Sequence, residues 1–171
     1  MDAIDTVIAL GSNLGDRIGN LRAALAALAE SGVTVTGTSS VWATAPVPAD
    51  QPPFLNAAVR GTTALQPLEL LAALKRIEHS LGRRPARRWG PRPIDLDILF
   101  YGPGAFESPE LQIPHSRIAE RSFVLAPLSE VFRRPLPVLG RTALELLAGL
   151  DVSGLERTGL ALRPPEPPPN P

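Results

Sequence analysis

Two rhythms of apolar positions divide the first hundred residues into elements. "TVIALG" (Thr6–Gly11) is a short, partly β-branched apolar run closed by glycine, and it predicts a buried strand. Around "DRIGNLRAALAALAESG", Leu14, Ile18, Leu21, Leu25 and Leu28 recur at steps of three and four, the stripe of an amphipathic helix. Asp16 is placed to cap its start and Gly32 to end it. "VTVTGTSSVWAT" alternates and is β-branched, so it reads as a second strand, and "FLNAAVRGTTA" reads as a third. Between them "APVPADQPP" belongs outside any sheet, because proline cannot donate to a ladder. "QPLELLAALKRIEHSLGRR" predicts a second helix with Pro67 in its first turn, Leu70, Leu74, Ile77 and Leu81 as its stripe, and Gly82 beyond its end. "PIDLDILFYG" is a fourth strand.

The order β-α-β-β-α-β predicts an α+β fold with a ferredoxin-like core, an antiparallel sheet carrying two helices on one face. The later segments "SFVLAPLSEVF" and "RTALELLAGL" are patterned more weakly and predict additional C-terminal helices on the second face. Residues 1–162 are expected to form one domain. The end of the chain, "RPPEPPPNP" (163–171), is too rich in proline to pack and reads as a disordered tail.

Composition narrows the classes of function. The 171 residues are 44% hydrophobic and 20% charged with a formal net charge of zero, an ordinary globular balance and not that of a general nucleic-acid or anionic-membrane binder. Without cysteine there is neither a disulfide framework nor a thiolate metal site. The start "MDAIDTVIALGSN" lacks the basic opening and long apolar run of a signal peptide, and no stretch approaches the roughly 20 apolar residues of a membrane span. The expectation is a cytoplasmic monomer that meets small molecules, with no nucleic-acid or membrane partner.

Chemistry enters at the fourth strand. Alternate side chains of a strand share a face, so Ile94, Leu96, Ile98 and Phe100 are expected to enter the core, while Asp95 and Asp97 point the other way beside Leu99 and Tyr101. At about 3.3 Å per residue, the two aspartate Cα atoms lie roughly 6–7 Å apart. Carboxylates at that spacing repel unless positive charge lies between them. One reading is a magnesium site completed by substrate phosphates, or a pair of metals; the other is two solvated aspartates paired with arginine. Just upstream, Arg83, Arg84, Arg87, Arg88 and Arg92 surround Trp89. Guanidinium forks recognise phosphate oxygens, so this run next to two carboxylates has the makings of a polyphosphate clamp, whereas on its own it would be a solvated loop.

Four blocks stand in one order: "IALGSNLGDR", "DQPPFLNAAV", "RRWGPRPIDLDIL" and "IPHSRIAERSFVLAPL". Together they resemble the 6-hydroxymethyl-7,8-dihydropterin pyrophosphokinases of folate biosynthesis, over most of Met1–Leu128. The resemblance implies ATP as co-substrate, two magnesium ions on Asp95 and Asp97, and transfer of diphosphate to a pterin hydroxymethyl group. It implies phosphate contacts from Arg83, Arg92 and Arg121, and ATP contacts from His115, Ile98 and Trp89. It implies a pterin pocket from Thr44, Val47, Phe54, Asn56 and Phe123, with Trp89 beside it. Glu78 matches a helix carboxylate expected to organise the arginine loop by ion pairing. The likeness departs at Ala45, Phe54, Lys75, Glu110, Gln112 and Ser116, where the family pattern favours other residues. The segments "TAPVPADQPP" and "GRRPARRWGP" are expected to move without ligand and to order when both substrates bind.

Two other classes fit less well. Nucleotidyltransferases also join a Gly-Ser turn to an aspartate pair, but the pair follows the turn closely, and here Ser12 and Asp95 are separated by the whole β-α-β-β-α unit. RNA-binding ferredoxin-like sheets stack bases on aromatics of their central strands, and "TVIALG" has none.

Overall fold

The computed structural model describes residues 2–45, 50–83 and 91–163. Its elements are β1 (Ile4–Ser12), α1 (Arg17–Glu30), β2 (Val33–Thr38), β3 (Ser40–Thr44), β4 (Phe54–Thr63), α2 (Pro67–Ser80) and β5 (Asp95–Tyr101). A small hairpin of β6 (Phe106–Glu107) and β7 (Gln112–Ile113) follows, and then α3 (Ser122–Val131), α4 (Ala143–Ala148) and β8 (Leu155–Ala161). The main sheet has six strands in the order β5-β1-β4-β3-β8, with β2 also on β4, and every recorded pairing is antiparallel. Counting β2 and β3 as one interrupted strand gives the ferredoxin-like order, the fold expected from the sequence.

Local signals account for the helices. The Asp16 carboxylate accepts a hydrogen bond from the Gly19 N–H at 3.0 Å and caps α1. Pro67 opens α2, where a missing N–H costs nothing, and the Glu69 carboxylate accepts from the Gln66 N–H at 2.7 Å. Gly82, at φ +98°, turns the chain away after α2 in a conformation that glycine adopts without penalty. Leu21, Leu25 and Leu28 of α1 and Leu70, Leu74 and Ile77 of α2 pack on one sheet face with Ile8, Leu10, Val59, Leu96 and Ile98. A second core covers one end of the opposite face, where α3 and α4 bury Leu125, Leu128 and Ala143 against Val7, Ala58, Leu99 and Phe100. The expected C-terminal helices are therefore present on the second face.

Four details differ from the sequence reading. Leu14 is 44% exposed, because α1 begins only at Arg17 and its stripe starts later. The second strand breaks at Ser39, whose hydroxyl accepts from the Ala58 N–H at 2.8 Å and takes a place in the ladder. The sheet gains β8, an exposed edge strand too polar to announce itself in the apolar pattern. Phe100 leaves the Ile94–Leu96–Ile98 face: Val7 pairs with Phe100 and Ile8 with Ile98, so Leu99 is an extra residue. This bulge resets the alternation. It sends Phe100 to the second core and Tyr101 to the first, where its hydroxyl donates to the Leu65 carbonyl at 2.7 Å.

Candidate active site

The part of the second face left open by α3 and α4 holds the chemistry. Register across the sheet sets it out in rows. One row runs Asp97, Ala9, Ala58 across β5, β1 and β4. The next runs Asp95, Gly11, Asn56, Trp42 and extends onto β3. Phe54 pairs with Thr44 at the rim. Carboxylates thus stand on one side of β1 and the aromatic and amide groups on the other, with only small residues of β1 between them.

A cavity of about 240 Å³ lies over these rows. Thr44, Phe54, Asn56, Arg92, Asp95, Asp97, Arg121 and Phe123 all line it. Eight residues singled out from sequence are therefore brought together. The Asn56 amide nitrogen donates to the Thr44 hydroxyl at 2.8 Å, which fixes the orientation of the amide and leaves its oxygen on the side of Gly11. The Arg121 guanidinium lies 5.8 Å from the centre of the Phe123 ring.

At the acidic side, Arg83 donates to Glu78 and, at 2.7 Å, to Asp95, while Arg92 lies 3.5 Å from the other oxygen of Asp95. Burial works against the Arg83 charge, yet Asp95 and Glu78 hold its pKa above the ordinary value. Glu78 is 2% exposed; it also accepts from the Leu96 N–H at 3.0 Å and from Lys75 at 3.1 Å. The expected ion-pairing role of Glu78 is met: it ties the end of α2 and the start of the arginine run to β5.

Asp97 is placed differently. Among the described residues no hydrogen bond or ion pair reaches it. Burial, then Asp95 and Glu78, push its pKa up to about 6, against smaller opposing effects of Lys75 and Arg121. A carboxylate held this far from its normal range is poised to gain from a cation. Magnesium, which is held by one or two carboxylates together with phosphate oxygens, fits the donor set of two carboxylates on one face.

A groove of about 200 Å³ runs along the outer edge of β5 and shares Asp97 with the main cavity. Ile98 and His115 line it, and so do Lys75, Glu110, Gln112 and Ser116, so four of the six departures from the family pattern gather in one place. Burial and Arg121 lower the His115 pKa, favouring the neutral ring. Its Nδ1 accepts from the Arg117 N–H at 3.3 Å, which leaves Nε2–H to donate. Val47 and Trp89, like Arg84, Arg87, Arg88, residues 46–49 and 84–90 of the two loops expected to move and residues 164–171 of the tail, lie outside the described residues.

Sequence reasoning missed Asn13. It is fully buried and donates to Gln51 at 3.1 Å and to the Pro52 carbonyl at 3.4 Å. Its carbonyl oxygen accepts from the Arg92 N–H at 2.7 Å. One amide thus clips the turn after β1 to segments on both sides of the site. Chain distance also misled: Gly11 pairs directly with Asp95, so the Gly-Ser turn is near the aspartates in space. Ser12 is set aside instead by burial, its hydroxyl accepting from Asn20 at 3.4 Å.

With this geometry in place, comparison with known proteins decides the family. The family description 7,8-dihydro-6-hydroxymethylpterin-pyrophosphokinase matches residues 7–133. The chain belongs to that family. A 2-amino-4-hydroxy-6-hydroxymethyldihydropteridine pyrophosphokinase of Methylorubrum extorquens is 44% identical over 152 residues, covering 88% of this chain and 96% of the relative. Its Bacillus subtilis counterpart is 52% identical over 126 residues, covering 72% and 75%. A mitochondrial folate synthesis bifunctional protein of Arabidopsis thaliana is 56% identical over 128 residues, 74% of this chain but only 23% of that protein. The chain thus spans about a quarter of the plant relatives it matches. Among solved structures, wild-type Plasmodium falciparum HPPK-DHPS with pterin and p-hydroxybenzoate superposes with a TM-score of 0.68 at 18% identity, covering 86% of this chain and 42% of that one. At that identity the likeness speaks for the fold.

Proposed function

We propose that this chain transfers diphosphate from ATP to the hydroxymethyl group of 6-hydroxymethyl-7,8-dihydropterin, releasing AMP, as a step of folate biosynthesis. The observation that carries the reading is the single cavity in which Phe54, Phe123, Asn56 and Thr44 adjoin Asp95, Asp97, Arg92 and Arg121. A pterin is flat and apolar on its faces and polar at its edges. Phe54 and Phe123 supply faces for it, and the amide of Asn56 supplies a donor and an acceptor for its edge. The edge groove with Ile98 and a neutral His115 takes the nucleoside part of ATP.

In the proposed reaction the substrate hydroxyl oxygen forms a bond to the β-phosphorus and releases its proton to solvent. The bond from that phosphorus to the α–β bridging oxygen breaks, and AMP leaves with the bridging oxygen. Asp95 and Asp97 would hold two magnesium ions, which when bound neutralise phosphate charge. Arg92 and Arg121 orient phosphate oxygens from the cavity wall, and Arg83, paired with Asp95 beside them, would add a further guanidinium contact to the phosphates. Most of the rate gain comes from holding hydroxyl and phosphorus in line. The reading includes a cytoplasmic monomer acting on small molecules, without nucleic-acid or membrane partners. Among the described residues, no helix is long and apolar enough to cross a membrane.

Incubation with ATP, magnesium and the reduced hydroxymethylpterin tests the proposal. The expected products are AMP and the pterin diphosphate, in equal amounts. Free pyrophosphate in place of AMP, or no pterin-dependent turnover, overturns it.

A further inference from the structure

Gly11 sits in the central strand, buried, in register between Asp95 on β5 and Asn56 on β4. Its backbone does not call for glycine, since it is not among the residues with positive φ. A glycine inside a strand lowers stability relative to alanine, so something other than conformation must account for it. A Cβ built at this position would stand 3.3 Å from the Asn56 amide oxygen and 3.6 Å from Cδ1 of Phe54. The first distance is tighter than an ordinary contact. The amide cannot yield freely, because its nitrogen is tied to the Thr44 hydroxyl at 2.8 Å.

We propose that Gly11 is a specificity-determining residue of the pterin site, its missing side chain keeping open the strip of sheet between the amide of Asn56 and the carboxylate of Asp95. This rests on the pterin reading of the cavity. Two consequences follow from the geometry. A methyl group here covers the amide oxygen of Asn56, the acceptor available to a donor on the ring edge. It also stands in the path that joins ring and phosphate, since the hydroxymethyl group must cross β1 to reach the aspartate side, a span of about 10 Å for two strand spacings.

Gly61 of β4 is the natural control. A Cβ there would meet the Thr34 carbonyl oxygen at 2.6 Å and Val33 at 2.9 Å, so this glycine serves strand packing away from the cavity.

The test is fluorescence titration with oxidised 6-hydroxymethylpterin, an unreactive probe, in the presence of magnesium and a non-hydrolysable ATP analogue. Nucleotide affinity and thermal melting are measured alongside. Gly11→Ala is expected to weaken pterin binding by about 10-fold, the scale of one displaced hydrogen bond. Nucleotide affinity should stay within about twofold and the melting temperature should be equal or higher, because a strand alanine is favoured over glycine. Gly61→Ala should lower the melting temperature and leave pterin binding by the folded protein unchanged. Pterin affinity within about twofold of wild type in Gly11→Ala overturns the role of Gly11 alone, as does a parallel loss of nucleotide binding and melting temperature, on the same affinity scale. A wild-type protein that binds nucleotide and no pterin overturns the pterin reading of the cavity, and the role of Gly11 with it.

Discussion

The molecule carries two acid–arginine clusters at opposite ends of its sheet, and they differ in how far their charges are satisfied. At the β1 entrance, Asp5 pairs with Arg60 through both oxygens, at 3.0 and 2.8 Å, and with Arg134 at 3.2 Å. Both guanidiniums lie on the Phe132 ring, at 5.0 and 4.9 Å from its centre, and Phe132 stacks on Phe100 at 6.1 Å. The hydrogen bond to Asp5 raises the Arg60 pKa against the cost of burial. One carboxylate thus serves two cations, and an aromatic ring covers the remainder. At the other end Glu78 and Asp95 take up Arg83, Asp95 also takes Arg92, and Asp97 is left without a hydrogen bond or ion pair among the described residues. The same residue types make a closed clamp in one place and an unbalanced, open site in the other. The surplus carboxylate is what separates a cluster that holds the fold from one ready for a ligand.

The contrast breaks most visibly in activity. Asp95→Asn is expected to lower diphosphate transfer by about 10²–10³, the scale seen when one preorganised electrostatic group is lost, while circular dichroism shows the fold intact. Asp5→Asn, which opens the other clamp, is expected to leave turnover within about twofold and to cost about 1 kcal/mol in urea unfolding, as for a partly exposed ion pair. Equal turnover in the two variants would erase the distinction.

A smaller effect sharpens it through pH. The folded pKa of Asp97, about 6, lies above its ordinary 3.8, so ionising it opposes folding. Its protonated form favours the native state; that advantage is full below about pH 4 and is lost as pH rises through about 6. Asp97→Asn should therefore stabilise the metal-free protein above pH 7, by on the order of 3 kcal/mol at most, with the gain vanishing near pH 4. Melting curves across pH 4–8 in the presence of a chelator check this. A difference that does not depend on pH would mean that Asp97 carries no electrostatic strain. The smallest effect concerns the ring: Phe132→Leu should cost about 1–2 kcal/mol of stability by removing two cation–π contacts and a stack, with kcat unchanged.

Much of the site could be read directly. Asp95 and Asp97 share a face because strand alternation is a local rule, and the structure keeps it as far as Ile98. Phe54, Asn56, Phe123, Arg92 and Arg121 were placed by the resemblance and do converge on one cavity. Asn13 and Gly11 gave no such signal. A buried asparagine looks like a turn residue in "GSN", and a glycine that ends an apolar run looks like a strand terminator, until the neighbours across the sheet are known.

The sequence by itself determined the β-α-β-β-α-β order of the first hundred residues, the two helical stripes, the Asp16 cap and the proline start of α2, all read from patterns within a few residues. Only the tertiary structure decided that Gly11 lies between Asp95 and Asn56, that a bulge at Leu99 turns Phe100 to the other core, that β8 joins the sheet, and that Asp97 has no hydrogen bond or ion pair among the described residues. The reason is physical: register, bulges and charge balance depend on which distant strands meet, and the Thr158 hydroxyl donating to the Val41 carbonyl across 117 positions is a bond no local pattern encodes.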